Sequence, residues 1–316
     1  MEQRENPEQK PKKMLAILAG VLAVLVIFLG ILIFPSWGGF IENFKMFSLG
    51  ALDVSVSVSV GNVLPEASSA SLNGGDAITL TENTTTAITA SGTVTDNNSC
   101  KDLASVSIAV YKDGTTCAVI GDADNDNCYF YTDSDPTNDA SCTGDDDVTY
   151  AASYAFNIQY YADGGTWEAT IISSDVVGAG TPDTSAGVTL NDLQALDVGS
   201  IAYGSVNPGP DSTGDHTADV TNTGNTAVDF KISGTDLTCD ARGSIPVTSE
   251  QYDLAGFSYG AGTALSGTPT DVDANLPAPS TATVPVQDTS YWQVSIPNGT
   301  KGTCSGTTSF AVEAAL

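Results

Sequence analysis

The chain has 316 residues, of which 38 are Asp or Glu and only 10 are Lys or Arg, giving a formal net charge of −28. Residues 46–316 hold 34 of the acidic residues and 5 of the basic ones, a balance that excludes nucleic acid as a natural partner. Two interpretations of the acidic excess stay open: surroundings rich in salt or divalent cations, or a highly soluble cell-surface protein that avoids Lys. Aliphatic and β-branched residues are plentiful, so the composition predicts folded domains and not a disordered acidic tail.

One long apolar stretch, Met14–Phe34, predicts a transmembrane helix. Its 21 residues contain no charged side chain, and at about 1.5 Å per residue a helix of this length matches the roughly 30 Å hydrocarbon core of a bilayer. A cleaved signal peptide would have a shorter apolar region followed by a small-residue cleavage site. Because only the late Leu49-Gly50-Ala51 offers such a site, we expect the helix to be retained as an anchor.

The charges that flank the apolar stretch predict its direction. Arg4, Lys10, Lys12 and Lys13 precede it, whereas Lys45 is the first basic residue after it. The positive-inside rule then places the N-terminus in the cytoplasm and the C-terminal domains outside the cell. We therefore expect a cytoplasmic tail at 1–13, the membrane helix at 14–34 and a juxtamembrane linker at 35–52.

The first outer domain, predicted at 53–175, is expected to consist of short strands. Asp53–Val60 alternates Val with Ser and predicts a half-buried strand close to the membrane. The alternation at 148–161 predicts a central strand, which Gly164-Gly165 would turn into a hairpin with the Trp167 strand up to residue 175. Further strands are expected at 77–81, 87–95 and 104–111.

The second outer domain, predicted at 188–316, follows a Gly-, Pro- and Ser-rich linker at 176–187. Two strands joined by the turn Asn222–Asn225 are expected at 216–222 and 227–233, and others at 188–206, 291–296 and 308–314. Strands at roughly ten-residue spacing are typical of β-sandwiches. The predicted fold class is therefore all-β, with two immunoglobulin-like sandwiches in tandem after one transmembrane helix.

All six cysteines follow the apolar stretch, and their even number without CxxC spacing predicts disulfides. Pairing within each domain leaves only Cys239–Cys304 for the second. In the first domain, a strand at 104–111 would hold Cys100 and Cys117 too far apart to bond. Cys100–Cys142 with Cys117–Cys128 is preferred, and Cys100–Cys128 with Cys117–Cys142 remains the alternative.

Residues 201–234 resemble Ig-like modules that share a Tyr-Gly-x-Val start and a later Val-x-Asn-x-Gly pattern, found in adhesins, surface-layer proteins and scaffolds. The matching positions are Tyr203, Gly204, Val206, Gly209, Val220, Asn222 and Gly224. The first domain is similar to repeats in membrane-anchored surface proteins of archaea and small-genome bacteria, through the spacing of Trp167, Ile171 and Asp175. These resemblances imply envelope-exposed β-modules and supply no catalytic residues.

Two kinds of binding or modification site can be predicted. A D-x-D-x-D spacing with a later acid, formed by Asp122, Asp124, Asp126 and Asp133, resembles a calcium loop, although Asn127 stands where Gly is expected. An acidic, solvated loop is the alternative. Asn83, Asn97 and Asn298 each begin an N-x-Ser/Thr sequence, which makes them candidate glycosylation sites.

The sequence predicts no enzyme. His216 is the only His, and its Gly-Asp-His-Thr setting is typical of a surface turn at the start of a strand. A glycosidase with paired carboxylates stays open by counting, since Asp is abundant, and its outer Glu candidates are Glu66, Glu82, Glu168, Glu250 and Glu313.

We therefore expect a non-enzymatic, membrane-anchored surface protein with a structural or adhesive role, whose partner is a surface protein or glycan and whose only candidate cofactor is calcium. Two other functions stay open. A pilus-like filament subunit would use the apolar helix as its assembly core, and a membrane-tethered hydrolase is the less favoured of the two.

Overall fold

The computed structural model describes residues 55–115, 117, 126–209 and 214–315. The chain divides into two compact units, residues 1–60 and residues 61–316. Of the first unit, only residues 55–60 are described, and they form no regular secondary structure. The predicted tail, membrane helix and juxtamembrane linker all lie outside the described residues. Within the described ranges, no helix has the length and apolar character needed to cross a bilayer.

Residues 61–316 form an all-β unit with several sheets. The first half contains β1 (Glu66–Leu72), β2 (Thr85–Thr95), β3 (Leu103–Lys112), β4 (Cys128–Asp133), β5 (Thr149–Gln159), β6 (Gly165–Asp175), β7 (Asp183–Thr184) and β8 (Val188–Leu190). The second half contains β9 (Leu196–Val198), β10 (His216–Asn222), β11 (Val228–Gly234), β12 (Leu237–Cys239), β13 (Ser244–Ile245), β14 (Glu250–Asp253), β15 (Thr263–Ala264), β16 (Thr270–Leu276), β17 (Gln287–Val294), β18 (Cys304–Ser305) and β19 (Thr308–Ala314). The helices of the described residues are single 3-10 turns at Asn73–Gly75, Cys100–Asp102, Pro136–Asn138 and Val247–Ser249.

Two sheets of the first half enclose one apolar core. One sheet has the order β1-β2-β5 and the other β4-β3-β6-β7, with β8 also paired to β6. Alternate residues of each strand point inward, so Ile88, Phe156 and Ile171 from the two sheets join the same buried cluster. Trp167 lies fully buried among them, packs against the ring of Tyr129 and donates its indole N–H to the carbonyl of Asp163 at 2.8 Å.

The second half is built from three sheets, which enclose a second core and a smaller apolar cluster around Cys239 and Ile245. Their strand orders are β15-β14-β17-β10-β9, β16-β11-β19 and β13-β12-β18. The largest buried side chains are Trp292 on β17 and Phe230 on β11, and Phe310 on β19 packs against both rings. The predicted strands at 216–222 and 308–314 are therefore present with the predicted bounds, and 228–234 lies within one residue of its prediction.

The three disulfides are Cys100–Cys142, Cys117–Cys128 and Cys239–Cys304. In the first half, this is the preferred pairing, and the alternative of Cys100–Cys128 with Cys117–Cys142 is wrong. Cys239 and Cys304 stand directly opposite each other in the pairing of β12 with β18.

The prediction that Asp53–Val60 forms a half-buried strand is wrong for its described part. Residues 55–60 form no strand, and the side chains of Val56, Val58 and Val60 are 89%, 86% and 79% exposed. Alternation specifies one apolar and one polar face, but a strand also needs a neighbour to take its backbone hydrogen bonds. No such neighbour occurs among the described residues.

The predicted hairpin of residues 148–175 is also wrong, because its turn crosses from one sheet to the other. β5 pairs with β2 over its whole length and lies at a sheet edge, not at the centre, while β6 pairs with β3 in the other sheet. Likewise, the turn Asn222–Asn225 joins β10 to β11, which belong to different sheets. Alternation predicts which side chains face inward, and those faces are correct, but it does not specify the partner strand.

The boundary between the halves lies later than the predicted linker at 176–187. β7 and β8 pair with β6, and Val188 and Leu190 join the first core. The segment is rich in Gly and Ser, which is why its sequence predicts a linker. In the structure, however, Gly180 lies close to the backbone of Pro65, and a Cβ on it would lie 2.2 Å from the Pro65 carbonyl oxygen.

Replacing Trp167 tests how far the first core depends on it. We expect Trp167→Ala to lower the free energy of unfolding by about 3–5 kcal/mol, since it leaves a large cavity. Trp167→Phe retains most of the ring, loses one hydrogen bond and should cost about 1–2 kcal/mol. Urea denaturation followed by circular dichroism measures both, and equal losses for the two variants would contradict this packing.

Candidate functional site

A cleft in the second half lies around Tyr203, in the irregular segment between β9 and β10. Cavities of about 440 and 530 Å³ share the residues Tyr203, Gly204, Leu237 and Cys304. Gly204 has a φ of 68°, a conformation that L side chains rarely adopt, so the glycine allows the turn that follows Tyr203. The Tyr203-Gly204 pair of the Ig-like pattern thus forms part of the wall of both cavities.

Tyr203 anchors its segment through a buried carboxyl group. Its hydroxyl donates a hydrogen bond of 2.9 Å to Oε2 of Glu250, the first residue of β14. Glu250 is only 2% exposed, and its Oε1 has no hydrogen-bond partner among the described residues. Burial raises the pKa of Glu250, although the hydrogen bond from Tyr203 acts in the opposite direction. A carboxyl group that holds its proton can donate through one oxygen while the other accepts from Tyr203.

His216 packs against the ring of Tyr203. Its ring meets that of Tyr203 edge-on, with the centroids 5.4 Å apart, and the residue is partly buried at the start of β10. The description of His216 as a surface turn residue is therefore incomplete, since its ring helps to position Tyr203. Burial is also the largest cause of the raised pKa of Tyr203, and the carboxyl group of Glu250 acts in the same direction, so the phenol stays protonated.

A second polar site joins the two halves of the all-β unit. Asn225 is buried, and its amide nitrogen donates to the carbonyl oxygens of Ala162 at 2.8 Å and Asn191 at 3.3 Å. Its amide oxygen accepts from the backbone N–H of Leu193 at 2.6 Å, and its own N–H donates to the Leu193 carbonyl at 2.9 Å. A single side chain of the second half therefore satisfies backbone groups of the first half and of the connection.

The rest of the turn Asn222–Asn225 fits tightly against this connection. Asn222 donates to the carbonyls of Thr226 and Pro277, and its side-chain oxygen accepts from the N–H of Gly224. A Cβ at Gly224 would lie 2.0 Å from the carbonyl oxygen of Leu193, so only glycine permits the approach. The Asn-x-Gly element of the Ig-like pattern is thus explained by packing at the junction.

The predicted calcium ligands are only partly described. Asp122 and Asp124 lie outside the described residues, whereas Asp126 and Asp133 lie within them. Both carboxyl oxygens of Asp133 accept hydrogen bonds, from the N–H of Asp135 and from the hydroxyl of Tyr150. In the parts of the chain that the structure describes, no group of three His, Cys, Asp or Glu side chains could hold a metal ion. The calcium loop stays a prediction.

The three candidate glycosylation sites have exposed asparagines. Asn83 is left-handed, with a φ of 51°, and its N–H donates to Thr223. Asn97 precedes the cap of a 3-10 turn, and Asn298 lies in the turn before β18. Their use as acceptors stays a prediction.

Comparison with known proteins gives no family. No protein-family model and no curated protein sequence matches the chain. Among solved structures, a chaperone–tip adhesin complex of CFA/I fimbriae matches 80% of this chain and 84% of its own at 12% identity, with a TM-score of 0.28. The CsuC–CsuE chaperone–tip adhesion subunit complex of Acinetobacter baumannii matches 78% and 100% at 12% identity, with a TM-score of 0.29. The C-terminal domain of the Streptococcus agalactiae AgI/II polypeptide BspA matches 78% and 95% at 12% identity, with a TM-score of 0.23.

Substituting Gly224 tests the close contact at the junction. We expect Gly224→Ala to lower the free energy of unfolding by about 1–3 kcal/mol, because its methyl group would meet backbone atoms that cannot move independently. Gly267→Ala is the matched control, since a Cβ there has no neighbour nearer than 3.9 Å. Thermal denaturation measures the loss of stability in both variants. Equal losses would contradict the inference that the contact with Leu193 excludes a side chain at position 224.

The pH dependence of stability in a Glu250 variant tests whether burial raises the pKa of this carboxyl group. As the pH rises past the ordinary Glu pKa of 4.5, the unfolded chain releases this proton before the folded protein does. The wild type should therefore lose stability relative to Glu250→Gln, by up to about 1.4 kcal/mol per pH unit, until Glu250 ionises in the folded state. Urea denaturation from pH 4 to pH 9 measures the difference.

The exposed Glu82 provides the control for this pH series. Glu82→Gln removes the same charge from the surface, so its stability should follow that of the wild type across the series. If Glu250→Gln also followed the wild type, the pKa of Glu250 would not be raised by burial.

Proposed function

We propose that the chain is a non-enzymatic, membrane-anchored surface protein in which two Ig-like β-sandwiches in tandem present an acidic surface outside the cell. The apolar stretch Met14–Phe34 would be the anchor, with residues 1–13 in the cytoplasm. Its role would be structural or adhesive, toward a surface protein or glycan.

The observation that carries a structural role is the junction around Asn225. Domains joined by a flexible linker move independently, and their linker backbone is solvated. Here the connection at 191–195 is hydrogen-bonded to both halves through Asn225 and through the backbone pair Thr223–Ala195. Such a joint suits a protein that holds a binding surface at a fixed orientation.

Charge and disulfides support an extracellular location. The outer 271 residues have a large acidic excess, which keeps a protein soluble and limits non-specific adhesion to other acidic surfaces. All three disulfides need an oxidising compartment to form and persist. Each cross-link constrains the unfolded chain and so stabilises a domain exposed outside the cell.

The topology is tested by tagging the full chain at either end. On intact cells, external protease should remove a C-terminal tag and leave an N-terminal tag protected. Deleting residues 1–45 should move the protein from the membrane fraction to the soluble fraction. Protection of the C-terminal tag, or retention of the deleted form in membranes, would contradict the proposed anchor and orientation.

A further inference from the structure

We infer that residues 55–60 of one copy bind as an added strand along the free edge of β5 in a second copy. This inference concerns self-association and does not depend on the adhesive role proposed above. Each copy has one such segment and one such edge. The contact would therefore be head-to-tail and could link more than two copies.

The segment has the composition of a strand without having the partner of one. Its sequence, SVSVSV, alternates Ser with Val and contains no charge. Its three valines and Val176 are the four most exposed large hydrophobic side chains among the described residues. Single exposed valines are common on protein surfaces, whereas three at strand spacing form an apolar stripe. Backbone pairing with a sheet edge would bury that stripe and satisfy the backbone groups of the segment together.

The edge of β5 offers matching backbone groups. Because β2 pairs with β5 in antiparallel register, alternate residues of β5 direct both N–H and C=O away from β2. At the two ends of β5 these outward N–H groups donate to side chains: Ala151 to the Ser141 hydroxyl at 2.9 Å and Gln159 to the Tyr129 hydroxyl at 2.8 Å.

Between those ends, no described strand pairs with the edge. The same alternation directs the N–H groups of Ser153, Ala155 and Asn157 outward, and all three residues are exposed. No other strand of the described residues pairs with this side of β5. Three open positions at two-residue spacing match the three Val-Ser repeats of the segment.

The β5 edge also lacks the features that protect other edges. Its 11 residues, TYAASYAFNIQ, contain no charged residue and no proline, although natural edge strands are commonly blocked by one or the other. The opposite edge strand, β1, is irregular at Ser68–Ser71 and is covered by Thr181 and Asp183. In the second half, β9 and β15 are short, and β16 and β19 carry acidic residues.

The side chains fit the same register. On the inward face of β5, Ala152, Phe156 and Ile158 are buried, but Tyr154 is 37% exposed and is covered only in part by the stacked ring of Tyr131. In a paired strand, serines opposite Ser153 and Ala155 would face solvent, and the valines would lie on the side of Tyr154. The added strand would thus extend the apolar face at its least covered position.

A complementation experiment with the full chain tests this contact. Val56→Asp/Val58→Asp disables the segment and leaves the edge intact, whereas Ala155→Pro removes an outward N–H from the edge and leaves the segment intact. Purified in detergent micelles with two different tags, each variant alone should associate at least tenfold more weakly than the wild type. Their mixture should restore pairing and stop at dimers, because each mixed pair has only one working segment–edge contact. Mass photometry and two-tag pull-down measure both results.

Two controls keep the result specific. Val284→Asp makes the same change at an exposed valine elsewhere and should leave association unchanged. Ser153→Lys places a charge on the edge and replaces Ala155→Pro if circular dichroism shows that the proline disturbs the fold. The inference is overturned if the wild type is monomeric, if association survives both disabling changes, or if a photo-crosslinker at residue 58 reaches β5 only within its own copy.

Discussion

The buried amide of Asn225 is the interaction on which the arrangement of the all-β unit depends. It satisfies backbone groups that would otherwise be buried without partners where one core ends and the next begins. The tight approach of Gly224 to Leu193 depends on the same turn, because an amide can bridge three backbone groups only when the two chain segments lie within hydrogen-bonding distance. The two cores, each with its own tryptophan, are thereby linked by hydrogen bonds at this junction.

Polar side chains have a similar role within the second half. Tyr203 belongs to a segment without regular structure, and its contacts with Glu250 and His216 attach that segment to β14 and β10. In a chain with so many surface carboxylates, Glu250 differs because it is shielded from solvent and hydrogen-bonded to a phenol. A polar anchor of this kind positions a loop more specifically than apolar packing, since only one geometry satisfies its hydrogen bond.

The sequence predicts the all-β class and most inward faces because both depend on local periodicity, and the reach of the strand at 104–111 excludes a Cys100–Cys117 bond. Val106, Ile108 and Val110 alternate as a strand requires, and all three are buried. The pairing of strands is not local. The alternating patterns around Tyr150 and Trp167 fit a hairpin as well as strands of two separate sheets. Only the packing of the whole chain decides between these arrangements. Asn222 and Gly224 could be recognised from the Ig-like pattern, but the role of Asn225 depends on Ala162, more than sixty residues earlier. Glu250 gives no sequence signal beyond being one of a few outer glutamates, since its burial arises from the crossing of distant strands.

The pairing of β11 has a consequence for the order in which the protein can mature. Its two neighbours are β16 and β19, so Phe230 is enclosed only when a strand about eighty residues later has arrived. Contacts so distant in sequence form late, because a long loop must close before they contribute any stability. The first core uses no residue beyond Leu193 and can form while the second is still being synthesised. During biogenesis, the unpaired strands of the second half would therefore remain open to other chains until residue 314 has emerged and β19 can pair with β11.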